Sequence, residues 1–376
     1  MTQANVKAQL KELDKLVSTS QKFDKKKVDL EGVPSALSVA KTGKFAFNNE
    51  TNFFGTKAVE RVAGLNLEPN ALAQLLGRVS VPFFGKGNGT TMDRADWETM
   101  LAKYPQHFAA IMNDLLPQIE SKGLLVRTEA KAIRAILTDK YGIVDNTDVL
   151  NSVREVLVAS APDLKDLRIV NSSIDRDRLD LRVVFSEPKV KNPEGLPQGE
   201  TRRNDPRDNR PYGLGGFVSN EETGRGGLSV KALIWRGVCT NSIIVNTQQS
   251  IALRHIGETQ VLLGRLQQAF ADALPVAAQT LNRIYEVSNK ALPNLTDVLS
   301  GLAKQYSWDE EITKQVLIGT EGQETVMGLV NGVSFAASKI EDNAKRVEME
   351  IQAGAILTAN DSLFARAAQQ SINARR

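Results

Sequence analysis

Residues 164–188, LKDLRIVNSSIDRDRLDLRVVFSEP, and residues 212–255, YGLGGFVSNEETGRGGLSVKALIWRGVCTNSIIVNTQQSIALRH, decide the fold. In the first, a period of two puts Leu179, Leu181, Val183 and Phe185 on one face and Asp180, Arg182 and Val184 on the other. That pattern predicts an antiparallel hairpin with one face in the core and the other in water. In the second, ETGRGGLS parts two apolar runs, and Gly224, Gly226 and Gly227 suit a tight hairpin turn.

Upstream, LLVRTEAKAIRAILTDKYGIVDN (124–146) alternates in the same way, and two strands meeting near Glu129 to Lys131 would set Arg134 on the face of Ala132 and Ile136. A helix over TDVLNSVREVLVAS follows, capped by Asn146 or Thr147. Between Thr56 and Ile119 the pattern is helical, with Trp97, Phe108, Ile111, Met112 and Leu115 as expected core. Beyond His255 the chain reads as helices to its end: a long amphipathic pattern interrupted by Pro275, three shorter segments, and an alanine-rich helix through Arg366.

The expected architecture is therefore α+β: an antiparallel sheet core with an N-terminal helical lobe and a helical C-terminal region. Its divisions are a charged arm over 1–44, a core over 45–257 carrying a flexible insertion at 189–211, and helices over 258–376. Lys25, Lys26 and Lys27 follow the amphipathic spacing of Val6, Leu10, Leu13 and Leu16, so the arm is either solvated or touches an anionic partner.

With 376 residues, 41% of them hydrophobic, the chain can bury a substantial core. No apolar run approaches the ~18 residues that span a bilayer, and residues 1–30 are lysine-rich without an apolar run. The expectation is a protein of the cytoplasm, with no membrane partner. The single cysteine, Cys239, has no disulfide partner within the chain.

Two histidines, His107 and His255, and no nucleophile elbow leave hydrolytic triads without support. Asp139 with Asp145, and Glu221 with Glu222, are carboxylate pairs near strand ends, but no third ligand accompanies them. The glycines of ETGRGGLS lack the GK[ST] of a phosphate loop and the spacing of a dinucleotide fingerprint. No catalytic residue, metal or cofactor is expected.

What the residues do offer is cations interleaved with aromatics, which track a phosphate backbone and stack on unpaired bases. The candidate nucleic-acid-binding residues are Arg127, Arg134, Lys140, Tyr141, Arg202, Arg203, Tyr212, Arg225, Lys231, Trp235, Arg236 and Arg254. Arg202 and Arg203 belong to the polar insertion, where Glu200, Asp205 and Asp208 offset the positive field. A net charge of +3 permits an anionic partner without the strong basicity of a typical duplex binder.

Three segments carry a resemblance: RAIL-x-D-x-Y-x-x-x-D-N at Arg134 to Asn146, SN-x-E-x-G at Ser219 to Gly224, and R-x-V-C-T-N at Arg236 to Asn241, with RHIG following at 254–257. Over about Phe45 to Gly257 the chain resembles the phage and plasmid proteins grouped as domain of unknown function 932. It departs from them with Asn241-Ser242, where the family has Asn-Gly, and in the 189–211 insertion. The resemblance implies a mobile-element origin, hence a host cytoplasm, and a role in phage takeover or DNA metabolism.

The residues and the resemblance together point to a non-catalytic protein that binds single-stranded nucleic acid, DNA rather than RNA. It would support phage replication, recombination or transcription, with a polymerase or recombination protein as a further partner. The alternatives are an interaction factor acting on a host or phage enzyme, and a metal-dependent nuclease using Asp139, Asp145 or Glu221.

Overall fold

The computed structural model describes residues 3–23, 25–31, 37–39, 45–47, 65–76, 99, 103–115, 123–130, 132–138, 140–160, 167–186, 213–236, 241–245, 251–287 and 290–374. Among these residues it is an α+β structure with two sheets. The chain opens with α1 (Gln3–Gln21) and β1 (Lys25–Glu31), then β2 (Leu37–Val39), β3 (Phe45–Phe47), β4 (Asn66–Leu67), α2 (Pro69–Leu76) and α3 (Pro105–Leu115). Strands β5 (Gly123–Glu129) and β6 (Ala132–Thr138) complete a six-stranded sheet ordered β1-β5-β6-β4-β3-β2, antiparallel except for β4 against β6.

Helix α4 (Asn146–Ser160) leads into the second sheet: β7 (Arg168–Ile169), β8 (Ser173–Ile174), β9 (Arg178–Ser186), β10 (Gly213–Glu221), β11 (Leu228–Arg236), β12 (Asn241–Val245) and β13 (Ile251–Leu253). Its order is β12-β11-β10-β9-β7, with β13 on β11 and β8 on β9. The helical part comprises α5 (Thr259–Val287), α6 (Leu295–Gln305), α7 (Glu310–Gly319), α8 (Val326–Lys339), α9 (Asn343–Thr358) and α10 (Asp361–Asn373).

Of the expected core face of β9, Leu179, Leu181 and Val183 pack with α1, α4 and the first half of α5 through Leu13, Val149, Val153 and Phe270, and the Phe185 side chain lies outside the described residues. On β10, Gly216 lets the Phe270 ring lie against the sheet, since a β-carbon there would stand 2.6 Å from it. The far end of the same face joins the helical core, where Ile234, Ile243 and Val245 meet Val298, Val330 and Ile356.

The opposite face is not wet. Asp180 and Arg182 are fully buried because α9 lies over them. Arg182 donates to the Glu350 carboxylate from Nη2 at 2.6 Å and Nε at 3.2 Å, gives Nη1 to the Asn171 carbonyl at 2.7 Å, and sits 5.2 Å above the Phe217 ring. Asp180 accepts from Arg178 at 2.8 Å and from the Asn343 amide. Val184, Phe217, Leu233, Ile244 and Val347 fill the space around these groups. The helix that covers this face lies more than 150 residues further along the chain, so β9 read by itself looks half-exposed.

Three other expectations change. The amphipathic spacing of Val6 to Leu16 does form a helix, α1, but residues 3–23 and 25–31 are not a free arm: Leu13 of α1 is buried among α4 residues, and β1 pairs with β5 from Lys25 against Glu129 to Glu31 against Gly123. Pro275 does not interrupt the helix, because α5 runs unbroken through it. The alanine-rich end forms two helices, broken at Ala359 and Asn360, with Gly301 of α6 in backbone contact with Ala367. Of the predicted lobe, Met112 is buried and Ile111 half-buried, whereas Trp97 and the Phe108 and Leu115 side chains lie outside the described residues, as does the 189–211 insertion.

The Arg182–Glu350 pair makes a testable statement about how α9 is held. Arg182→Met or Glu350→Leu alone leaves a buried charge without its partner and lowers stability by about 3–5 kcal/mol, whereas the double substitution recovers most of that loss. Denaturant unfolding of the four proteins measures it; additive losses would show that the two groups do not act as a pair.

Candidate functional site

The two sheets meet where the β10–β11 turn, the β8–β9 turn and the β5–β6 pair converge, and the junction is made of charge. Glu222, directly after β10, has no exposed side-chain surface. Its carboxylate lies 2.8 Å from Lys25 Nζ and 3.4 Å from a terminal nitrogen of both Arg127 and Arg134, and it accepts the Asn146 backbone N–H at 2.8 Å. Arg127 also pairs with Asp145, and Arg134 with Asp177 and, at 3.4 Å, Glu129. Arg176 extends the set by donating to Glu68 at 2.8 Å and lying 3.2 Å from Glu129.

Four cations thus interleave with five carboxylates at the join. Local backbone geometry places them. Ala130 takes a left-handed φ of 49° to turn β5 into β6, and the register shifts at Arg127/Thr128. Gly224 has φ 78°, and a β-carbon there would stand 2.6 Å from Leu137 of the other sheet. Asn220 donates to the Val144 carbonyl at 3.0 Å and to Asn146 Oδ1 at 2.9 Å.

Beside this junction, Tyr141 and His255 stack with ring centroids 5.0 Å apart and planes 9° from parallel. The Tyr141 hydroxyl points at the Glu221 and Glu222 carbonyls, 3.4 Å from each, and burial pushes its phenol above the usual range. His255 Nδ1 lies 3.3 Å from the Gly142 carbonyl and so carries the proton. Burial holds the imidazole below its ordinary pKa, with the nearby Arg127 acting in the same direction.

The twelve candidate residues therefore separate. Arg127 and Arg134 are 2% and 1% exposed, so the expectation that they face a strand is corrected: their charge is consumed by Asp145, Asp177 and Glu222. Tyr141 is half-buried, and one of its ring faces is taken by His255. Lys231 and Trp235 are half-buried on the face beneath α9, where burial lowers the Lys231 pKa. Lys140, Arg225 and Arg254 are exposed. Arg202, Arg203 and Tyr212 lie outside the described residues, as does the Arg236 side chain.

Nor do the candidates share one groove. Arg225 lies at the turn end of β10 and β11, whereas Trp235 and Arg236 lie at the opposite end, where Gly213 pairs with both Ser186 and Trp235. A strand of that length puts about 27 Å between the two ends at ~3.4 Å per residue. β9 ends and β10 begins at the Trp235 end.

The segments that carry the three exposed candidate cations do come together. Arg225 stands in the turn whose Gly227 approaches Leu253 and Arg254 so closely that a β-carbon would meet the Leu253 carbonyl at 2.4 Å. The Gly257 N–H reaches the Lys140 carbonyl at 3.4 Å, and the Gly142 N–H donates to the His255 carbonyl at 2.9 Å. The turns that carry Lys140, Arg225 and Arg254 are thus neighbours along one edge, together with Ile256, which is 59% exposed. Arg225, alone of the three, also lines a cleft of about 560 Å³, together with Arg178, Ser219, Glu221 and Ser229 among others. Of the carboxylates considered for metal chemistry, Asp145 is engaged by Arg127, Glu221 accepts the Thr223 hydroxyl at 2.6 Å, and Asp139 lies outside the described residues.

Sequence reading missed Glu222 as the organising residue. The signal was present in the quoted motifs: Arg134, Tyr141 and Asn146 come from one, Asn220, Glu222 and Gly224 from the next, and His255 and Gly257 from RHIG. No family model, no curated protein and no solved structure matches the chain.

The junction makes two predictions. Glu222→Gln removes a carboxylate shared by three buried cations and lowers stability by about 3–5 kcal/mol, read as a large drop in melting temperature; an unchanged melt would show that the cations do not depend on it. Because the folded state holds His255 below its unfolded pKa of about 6.5, the unfolded chain binds more protons there and stability falls as pH drops through about 6.5. Urea titrations between about pH 5.5 and 7.5 should show that slope, and His255→Gln should flatten it; an equal slope in both proteins would assign it to other groups.

Proposed function

We propose that the chain binds single-stranded nucleic acid without catalysis, along the rim of Lys140, Arg225 and Arg254. One observation carries this reading. Arg127, Arg134, Arg176, Arg178 and Arg182 all spend their charge on carboxylates, yet the three rim cations make no ion pair among the described residues. They come from three separate segments brought to one edge. Exposed unpaired cations on neighbouring turns suit successive phosphates of a flexible strand, and Ile256 between them offers an apolar surface to an unstacked base. The aromatic contribution expected from Tyr141 and Trp235 is smaller than the sequence implied, since both are engaged in packing.

Anisotropy titration of labelled single-stranded and duplex oligonucleotides at several salt concentrations tests the rim. Single strands should bind more tightly, and affinity should fall with salt. Replacing the three cations with alanine should weaken binding at least about tenfold and reduce the salt slope by about 2, on the scale of ~0.7 per phosphate contact on a single strand. Equal affinity for duplex, or a triple variant that binds as the parent does, contradicts the reading.

A further inference from the structure

The cleft beside Arg225 has a chemistry of its own. Its floor is the front of the polar face of the seven-stranded sheet, ahead of the part that α9 covers, with Ala344 of α9 on one side and Ala252 of β13 on another. Most charges around it are already committed. Arg178 holds Asp180 through two contacts, Asp177 belongs to Arg134, and Arg176 to Glu68. Asp175 Oδ1 accepts the backbone N–H groups of Asp177 and Arg178 at 2.8 and 2.6 Å.

What remains facing the cleft among the described residues is one unpaired cation, Arg225, the partly satisfied carboxylates of Glu221 and, at the exposed edge, Asp175, and the Ser219 and Ser229 hydroxyls, which pair across β10 and β11 at 2.8 Å. A carboxylate accepts about four hydrogen bonds. The Thr223 hydroxyl and, within the same turn, the Thr223 backbone bind the Glu221 group, so acceptor capacity is left over. Burial, with Asp177 nearby, raises its pKa. Such a group gains from a neutral hydroxyl donor and loses from a second anion placed against it.

The combination is specific: an anion receptor on the lip, and hydroxyl receptors on the floor of a cavity whose about 560 Å³ falls in the size range of small-ligand sites. We propose that the cleft seats one phosphorylated ribose unit, with the phosphate on Arg225 and the sugar hydroxyls on Glu221 and the Ser219–Ser229 pair. Taken with the strand-binding reading, on which it rests, this makes the preferred strand one with a 2′-hydroxyl. A deoxyribose would leave the Glu221 carboxylate without its donor, and a site built to bind a hydroxyl rejects the analogue that lacks it.

The test compares labelled oligouridine with oligodeoxyuridine of equal length, which differ only in the 2′-hydroxyl, together with free uridine monophosphate as competitor. The full chain should bind the ribose strand about tenfold more tightly, the size of one charge-assisted hydrogen bond. Glu221→Gln and Ser229→Ala should each narrow that ratio, and circular dichroism melts identify any variant that has failed to fold. Equal affinity for the two strands, with binding still lost in the triple rim variant, overturns the ribose assignment and leaves the strand reading standing. Uridine monophosphate binding that is weakened by Glu221→Gln, with neither strand bound, supports the cleft as a ribose site and overturns the strand reading. No binding of any of the three overturns both.

Discussion

Glu222 is the constraint on which the rest of the structure depends. It is a carboxylate without exposure, and three cations from β1, β5 and β6 converge on it together with the backbone of Asn146. Bringing that many charges out of water is costly, and their mutual attraction offsets the cost only when the geometry is met. The junction therefore acts less as a source of stability than as a condition. A juxtaposition of the two sheets that broke these pairs would strand buried charge, which disfavours it.

That condition explains the position of the exposed rim. The β10–β11 turn is fixed at its start by Glu222 and Asn220, so Arg225, three residues beyond Glu222, projects at a set place. The segment through His255 is held against Gly142 by a backbone hydrogen bond and against Tyr141 by ring stacking, which fixes Arg254. Lys140 directly precedes Tyr141. Each rim cation is thus within a few residues of a group locked into the junction, and the buried charges set the geometry of the free ones.

Much of this fold was legible. The alternation in 178–186 marked β9, the glycines of 224–227 marked the turn, and RTEAKAIR marked the β5–β6 pair. What the sequence could not show was which cations would be spent. Arg127 and Arg225 look alike in a list of arginines. They differ because Asp145 and Glu222 reach the first, and that depends on strands far apart in the chain. Burial of Asp180 and Arg182 was hidden for the same reason, since α9 and Glu350 arrive only near the C-terminus. In the sequence Arg134 reads as a binding residue and Asn146, Asn220 and Glu222 only as motif positions, whereas in the fold all four form the interior joint between the sheets.

If Glu222 and its cations make the two sheets one cooperative unit, native-state hydrogen exchange should show it directly in the unmodified protein. The slowest amides of β5 and β6 and the Asn146 amide should exchange with the same opening free energy as the β10–β11 ladder, and respond to denaturant with the same slope. A six-stranded sheet that opens at a markedly lower free energy, while the seven-stranded sheet stays closed, would contradict the account.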